Sequence, residues 1–393
     1  MSYIEKTAKT QVVALVAAVA GLGGLAFAIF QNPKWGFTNL LVCAFFFVSL
    51  AAGGLVLLAL NTVAKAGWHT VLKRVFESYA ALLPIGSLLI VLTLVNLLGG
   101  SNSIYEWARP GIMDHHHADY DHLIHEKVAY LNLPFYILRM LLILGVWSLF
   151  AFRLRRLSLE QDKDSLVVRT HQAVRWATGF LVCFAITFSF ASFDWIMSLE
   201  AHWFSTVFGM YNIAGLLSSS VAAVVLTCIL LNKAGVFPEF RIPHVHDLAK
   251  LMFAFCTFWA YLWFCQFMLI WYSNIPEEGL YFVRRWHGGW EPVFYLNFVL
   301  NWVLPFFLLL PRPLKRSPNY VAAVALIVLF GRWVDLYLMV TPINFSSPPV
   351  GWVEVSAVVG FAGLLVFCLQ RRFQKVPLIP KNDPYLQESL NLH

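Results

Sequence analysis

The stretch Thr38–Leu60, TNLLVCAFFFVSLAAGGLVLLAL, runs for 23 residues without a charged side chain. At a rise of about 1.5 Å per residue, a helix of that length crosses the roughly 30 Å hydrocarbon core of a bilayer. Similar runs recur along the 393-residue chain, giving spans near 11–30, 38–60, 78–98, 131–152, 174–196, 206–231, 250–272, 293–311, 320–340 and 352–370. Hydrophobic residues make up 59% of the chain and charged ones 12%, where an ordinary soluble domain carries about 25% charged residues. The fold class expected is an all-α integral membrane protein with ten transmembrane helices. A β-barrel would instead alternate apolar and polar residues in segments of about ten, a pattern the chain lacks. The first span follows Lys6 and Lys9 as a signal peptide would, but it is too long for an ordinary signal core, and Gly21, Gly23 and Gly24 suit a retained, packed helix.

The net charge of +7 reads as a topology signal. With the N-terminus inside, 21 lysines and arginines fall in inner segments and 5 in outer ones (Lys34, Arg109, Lys127, Arg284, Arg285). The positive-inside rule then places both termini in the cytoplasm, as an even number of spans requires, in the bacterial inner membrane. This distribution gives no reason to expect a nucleic-acid partner. All six cysteines lie inside spans, without CxxC or CxxCH spacing, and read as small buried hydrophobes. None of the twelve histidines sits mid-span, so a haem held between two membrane histidines is not expected, nor any metal centre of the chain's own.

Three connections exceed the usual short turn. Residues 61–77 are basic and amphipathic, with Trp68 expected at the membrane interface. Residues 99–130 form a long outer loop containing His115, His117, Asp119 and His122, whose dense spacing selects no metal geometry and reads as a solvated loop. Residues 273–292 form a second outer loop, rich in charge and aromatics; loops of this length commonly dock a partner. From Val376 onward the chain reads as an extended inner arm. A weak parallel repeat relates spans two to five to spans six to nine, through Trp35 and Thr38 against Trp203 and Thr206. It implies two four-helix bundles flanked by spans one and ten. The domains are then residues 1–37, 38–196, 197–340 and 341–393.

Four charges stand out within the spans: Arg139, Asp194, Arg332 and Asp335, with Asp194 closing span five near the outer face. A charge at the bilayer centre costs roughly 2.5–3.5 kcal/mol even on the lenient insertion scale, so each is a functional candidate. Counting helical rise, Arg139 and Arg332 both lie about 12 Å below the outer surface, and Asn297, Asn301 and Gln266 also fall in the outer half. Arg332 and Asp335 are three apart and Asn297 and Asn301 four apart, so each pair shares a helix face. Arg139 needs a separate acceptor, Asp194 or Asp335. The set reads either as a hydrated, proton-handling layer or as an ion-paired clamp that fixes helix register or locks the two bundles together. On the inner side, His69 and Glu77 are candidates for proton uptake, with headgroup anchoring as the plainer role.

Ser192–Tyr211 reads SFDWIMSLEAHWFSTVFGMY. With YEWARP (Tyr105–Pro110), YLNLPFYILR (Tyr130–Arg139) and RRLSLEQD (Arg155–Asp162), it resembles the ActF-type membrane subunits of bacterial alternative complex III, within the wider NrfD or polysulfide-reductase-like family. The resemblance covers about residues 10–370, and its specific part is the DWxMSLxxxWFST run. It implies a subunit of a quinol oxidoreductase in the respiratory chain, alongside a sister NrfD-like (ActC-type) membrane subunit, an iron–sulfur subunit, c-type cytochrome subunits and small membrane subunits. Quinol, c-type haems and iron–sulfur clusters would belong to those partners, leaving this chain cofactor-free and not catalytic alone. It also implies a proton path, carried here onto Asp194 and Arg139. Two alternatives stay open: a quinone site of the chain's own, lined by Arg139, Asp194 and Trp195, or a stand-alone secondary transporter. Against the transporter, the sequence shows no paired Gly/Pro-interrupted spans.

Overall fold

In hydrocarbon a backbone satisfies its own hydrogen bonds only as a helix or a closed barrel, and the apolar runs here fold as helices. The computed structural model describes residues 3–100, 103–164 and 166–392, with residues 3–8 given by backbone alone. Among the described residues every regular element is helical. Ten helices are long and apolar enough to cross a membrane, making this a multi-pass membrane protein. They are α1 (Lys9–Gln31), α2 (Pro33–Val63), α3 (Thr70–Leu97), α4 (Leu133–Asp164), α5 (Val167–Leu199), α6 (Phe208–Lys233), α7 (Ile242–Ser273), α8 (Glu291–Leu309), α9 (Pro318–Ile343) and α10 (Trp352–Phe373). The order and number match the sequence expectation. The lengths do not, since α4 and α5 continue as helix through 153–164 and 167–173, which the hydropathy profile leaves as a connection.

Helix α2 packs against α3 and α5, α3 against α4, and α4 against α5; likewise α6 packs against α7 and α9, and α8 against both α7 and α9. Helices α2 and α6 are the most enclosed, and they touch each other. Helix α1 lies along α10, with Gly21 at the crossing: a Cβ there would fall 2.2 Å from the backbone nitrogen of Gly360. Only glycine on both sides allows that approach, as small residues do wherever membrane helices pack closely.

Two spans are interrupted, at positions that do not pair. In α3, Pro84 opens the segment Leu83–Val91 just after a break, because it has no N–H to continue the preceding turn. In α8, Pro305 cannot donate to the carbonyl of Asn301, and the turn Val299–Val303 widens to π-helix around that asparagine. The interrupted helices are the second of one set of four and the third of the other, so they do not correspond in the repeat.

The segment 103–130 folds down on its own chain. Tyr105 donates to the carbonyl of Trp195 at 2.9 Å, and Lys127 Nζ to that of Ala201 at 2.6 Å. The C-terminal segment is also docked and is not an extended arm. Leu378, Ile379, Leu386 and Leu390 pack on the core, Lys73 meets Asp383 at 2.6 Å, and Ser389 Oγ donates to Trp68 O at 2.7 Å. Residues 67–77, expected as an amphipathic surface connection, lie largely buried within the protein, partly beneath the tail.

Candidate functional site

Asp335 is the centre of the most connected polar cluster. Its Oδ1 accepts from the Tyr211 hydroxyl and from Asn297 Nδ2 (3.1 Å); its Oδ2 accepts from Arg332 Nη1 and from Trp259 Nε1 (3.1 Å). Arg332 Nη2 donates to Asn212 Oδ1 at 2.8 Å. Asn301 Nδ2 donates to Asn297 Oδ1 at 2.7 Å and to the Gly331 carbonyl at 2.8 Å. Helices α6, α7, α8 and α9 thus each contribute, and the carboxylate, the guanidinium and both asparagines are essentially fully buried. Gly215, one turn beyond Tyr211, makes room: a Cβ there would stand 2.4 Å from Arg332 Cζ. The pairs inferred from helical spacing form as expected, Arg332 with Asp335 and Asn297 with Asn301.

The same cluster borders a cavity of about 20 Å3, room for about one water, lined also by Gln266, Tyr281 and Arg285. Gln266 is the remaining outer-half candidate, and its buried Oε1 has no protein donor. The short helix Pro276–Trp286, between α7 and α8, covers the cavity. Tyr281 stacks on Trp203 with ring centroids 4.0 Å apart, and the Arg285 guanidinium lies 3.4 Å over Tyr281. Arg285 donates to the Leu338 and Met339 carbonyls at 2.9 and 2.7 Å and stands 2.8 Å from the Glu200 carboxylate. Burial pushes the Tyr281 hydroxyl up to about 12, so it faces the cavity region as a protonated phenol. Asp335 therefore lies behind a lid held by a buried ion pair.

Arg139 pairs with Asp194 and not with Asp335. Its Nε and Nη2 reach the two carboxylate oxygens at 2.8 and 3.0 Å, a bidentate fork, and Nη1 donates to the Tyr130 carbonyl at 3.0 Å. The rings of Tyr130 and Phe135 lie 3.8 and 4.3 Å from the guanidinium. This pair joins α4 to α5, whereas the Asp335 cluster lies wholly within α6–α9. Neither is a lock between the two sets of helices.

At the opposite end of the spans Glu77 pairs with Arg74 at 2.6 Å, and Arg74 also pairs with Asp162. His69 is a step away in sequence and under the tail, its Nδ1 2.5 Å from the Ala66 carbonyl and its ring stacked on Phe76. Burial pulls its pKa down to about 4, so at neutral pH the ring is uncharged, its Nδ1–H directed at the Ala66 carbonyl.

Several site residues escape the sequence reading. Tyr211, Asn212 and Trp259 are unremarkable in apolar spans until the fold brings them together, although Tyr211, Asn212 and Gly215 do share one stretch of α6. Glu354 is a further buried charge, inside the tenth expected span and as near its end as Asp194 is to the end of the fifth. It accepts from Trp35 Nε1 (2.6 Å), Asn39 Nδ2 (2.9 Å) and the Gly351 N–H (2.9 Å), capping α10 and tying it to α2. The outer His/Asp run separates into local contacts: His115 against Tyr120 and His125, His117 beside Asp119, His122 beside Glu126. Among the described residues no group of three His, Cys, Asp or Glu is placed to hold a metal. No protein-family model matches the chain, and no curated protein matches it in sequence.

Proposed function

We propose that this chain is a cofactor-free membrane subunit of a respiratory quinol oxidoreductase that passes electrons to cytochrome c or another outer acceptor. Its tasks are to scaffold the complex and to carry a proton path in its outer half. The two sets α2–α5 and α6–α9 act as four-helix bundles flanked by α1 and α10, with both termini cytoplasmic. The sister NrfD-like subunit, the iron–sulfur subunit and the c-type cytochromes hold the redox groups. The observation that carries this reading is Asp335: a buried carboxylate between four helices, beside a water-sized cavity, under a lid. Its four donors fill both oxygens, so a proton reaches it only after one donor shifts. Tyr211, Asn297 and Trp259 are the neutral donors, any of which can move without leaving a charge unpaired.

Purification from a tagged strain tests the assembly: cytochrome absorbance and the partner subunits should travel with the chain, and a chain that purifies alone supports the transporter reading instead. Asp335→Asn then tests the path. An assembled complex with fewer protons moved per electron supports it, while normal proton movement in an intact complex refutes it.

A second reading, a quinone site of this chain's own, is favoured by a different place from the one the sequence suggests. Arg139 and Asp194 engage each other and lie under aromatic rings, which leaves them ill suited to a headgroup. An apolar cavity of about 360 Å3 lies between α2, α3, α6, α9 and α10, with Tyr79, Thr227 and Trp333 on its wall. Azido-quinone labelling of peptides around Trp333 supports this site; absence of label on the chain removes it.

A further inference from the structure

The inward extensions of α4 and α5 enclose a cleft of about 480 Å3 whose wall includes Arg153, Arg156, Glu160, Arg169, Arg175 and Trp176. Four of these six side chains are arginines. Glu160 is held by Arg156 at 2.8 Å and Arg169 at 2.9 Å, and Asp164 takes a second contact from Arg169 at 3.2 Å. Arg153 lies 4.8 Å over the Trp176 ring, and neither it nor Arg175 has an acidic partner among the described residues. Two positive charges are therefore left over in one concave, half-exposed place. Arg155, next in sequence, turns the other way, toward the Glu77 carbonyl at 3.5 Å.

What adjoins the cleft identifies its ligand. On α4, Leu149 and Phe152 are exposed on the same face as Arg153 and Arg156, following the spacing of three and four that defines one side of a helix. On α5, Val182 and Ile186 continue the face of Arg175 in the same way. Both apolar stripes run from the arginines toward the middle of the spans, and Trp176 stands at the junction, where indole rings concentrate in membrane proteins. A free anion would use the arginines and ignore the stripes. A phosphate that carries acyl chains uses both.

We infer that the α4–α5 cleft binds the phosphate headgroup of an anionic membrane lipid, of the phosphatidylglycerol or cardiolipin class, in the leaflet on the basic face. The headgroup sits between Arg153 and Arg175, and the chains lie along Phe152, Leu149, Val182 and Ile186. This inference is independent of the redox complex and of the proton path.

Native mass spectrometry of the full chain, with whatever partners purify with it, tests the site by titration with cardiolipin, phosphatidylglycerol, phosphatidylcholine and inorganic phosphate. At about 1 kcal/mol per arginine near the headgroup, the two free arginines should favour the anionic lipids over phosphatidylcholine roughly 30-fold. Arg153→Gln/Arg175→Gln should abolish that preference, whereas Arg153→Lys/Arg175→Lys should keep most of it and show that the fold is intact. Arg371→Gln, on another basic helix end, should change nothing. Equal retention of anionic lipid by the glutamine variant overturns the proposal. So does binding of inorganic phosphate as tight as that of the lipids, which would mark a soluble-anion site, or crosslinking of positions 153 and 175 to a partner protein.

Discussion

Replacing Asp335 by asparagine converts one acceptor oxygen into an NH2 group at the point where four donors converge. Whichever way the amide turns, its nitrogen faces two of them: Tyr211 and Asn297 on one side, Arg332 and Trp259 on the other. Arg332 suffers most, because its Nε already lacks a partner and Asn212 would become its principal acceptor. Breaking one member of a buried pair in this way costs about 3–5 kcal/mol, most of it from the charge left behind. Arg332→Gln/Asp335→Asn removes both charges together, and the two amides can hydrogen-bond to each other. The double variant should therefore be more stable than the sum of the single changes implies, by a coupling of about 2–3 kcal/mol. Thermal stability in detergent, read by size-exclusion recovery after heating, measures all three variants on one scale. If the single changes each cost less than about 1 kcal/mol and simply add, the cluster is not a buried ion pair in the sense used here. The double variant is also the cleaner probe of proton movement, because its fold survives while its carboxylate is gone.

Arg139→Lys should cost about 1–3 kcal/mol in the same assay, since a lysine cannot reproduce the two-pronged contact with Asp194 and the third bond to Tyr130. Gly21→Val should separate α1 from α10 and expose the first helix to protease, whereas Gly23→Ala, which faces open space, should be silent. Acid should loosen the C-terminal tail: with the tail docked, His69 stays neutral down to about pH 4, whereas in the released form it titrates near its ordinary 6.5. The released form thus gains protons first, so docking weakens as pH falls from 6.5 towards 4, by about 2 kcal/mol at pH 5. Limited proteolysis after Lys381 should accelerate over that range, and His69→Gln should flatten the response.

The two ion pairs look alike in the sequence and differ in kind in the fold. The Arg139–Asp194 pair is a closed fork under two aromatic rings, suited to holding α4 against α5. Arg332–Asp335 is one edge of a network that reaches a cavity and a lid, which is why the proposed proton path runs there. Glu200 and Arg285, which brace that lid, lie in connecting segments where a lone charge draws no notice; only their burial against each other marks them.

From the sequence alone came ten spans, the basic face, and the contacts within single helices: Arg332 with Asp335 and Asn297 with Asn301 follow from 3.6 residues per turn and need no knowledge of neighbours. Only the tertiary structure brought Tyr211 and Asn212 to α9 across 124 and 120 residues, and Trp259 across 76. It also docked the tail, broke α3 and α8, and carried α4 and α5 as helices beyond their expected spans to form the arginine cleft. The reason is physical. A span is selected by its transfer from water to lipid, which every apolar residue favours alike, so the ten lengths are written in composition. Which faces then meet is decided by close packing and hydrogen bonds inside a solvent as apolar as the side chains themselves, and hydropathy carries no record of that choice.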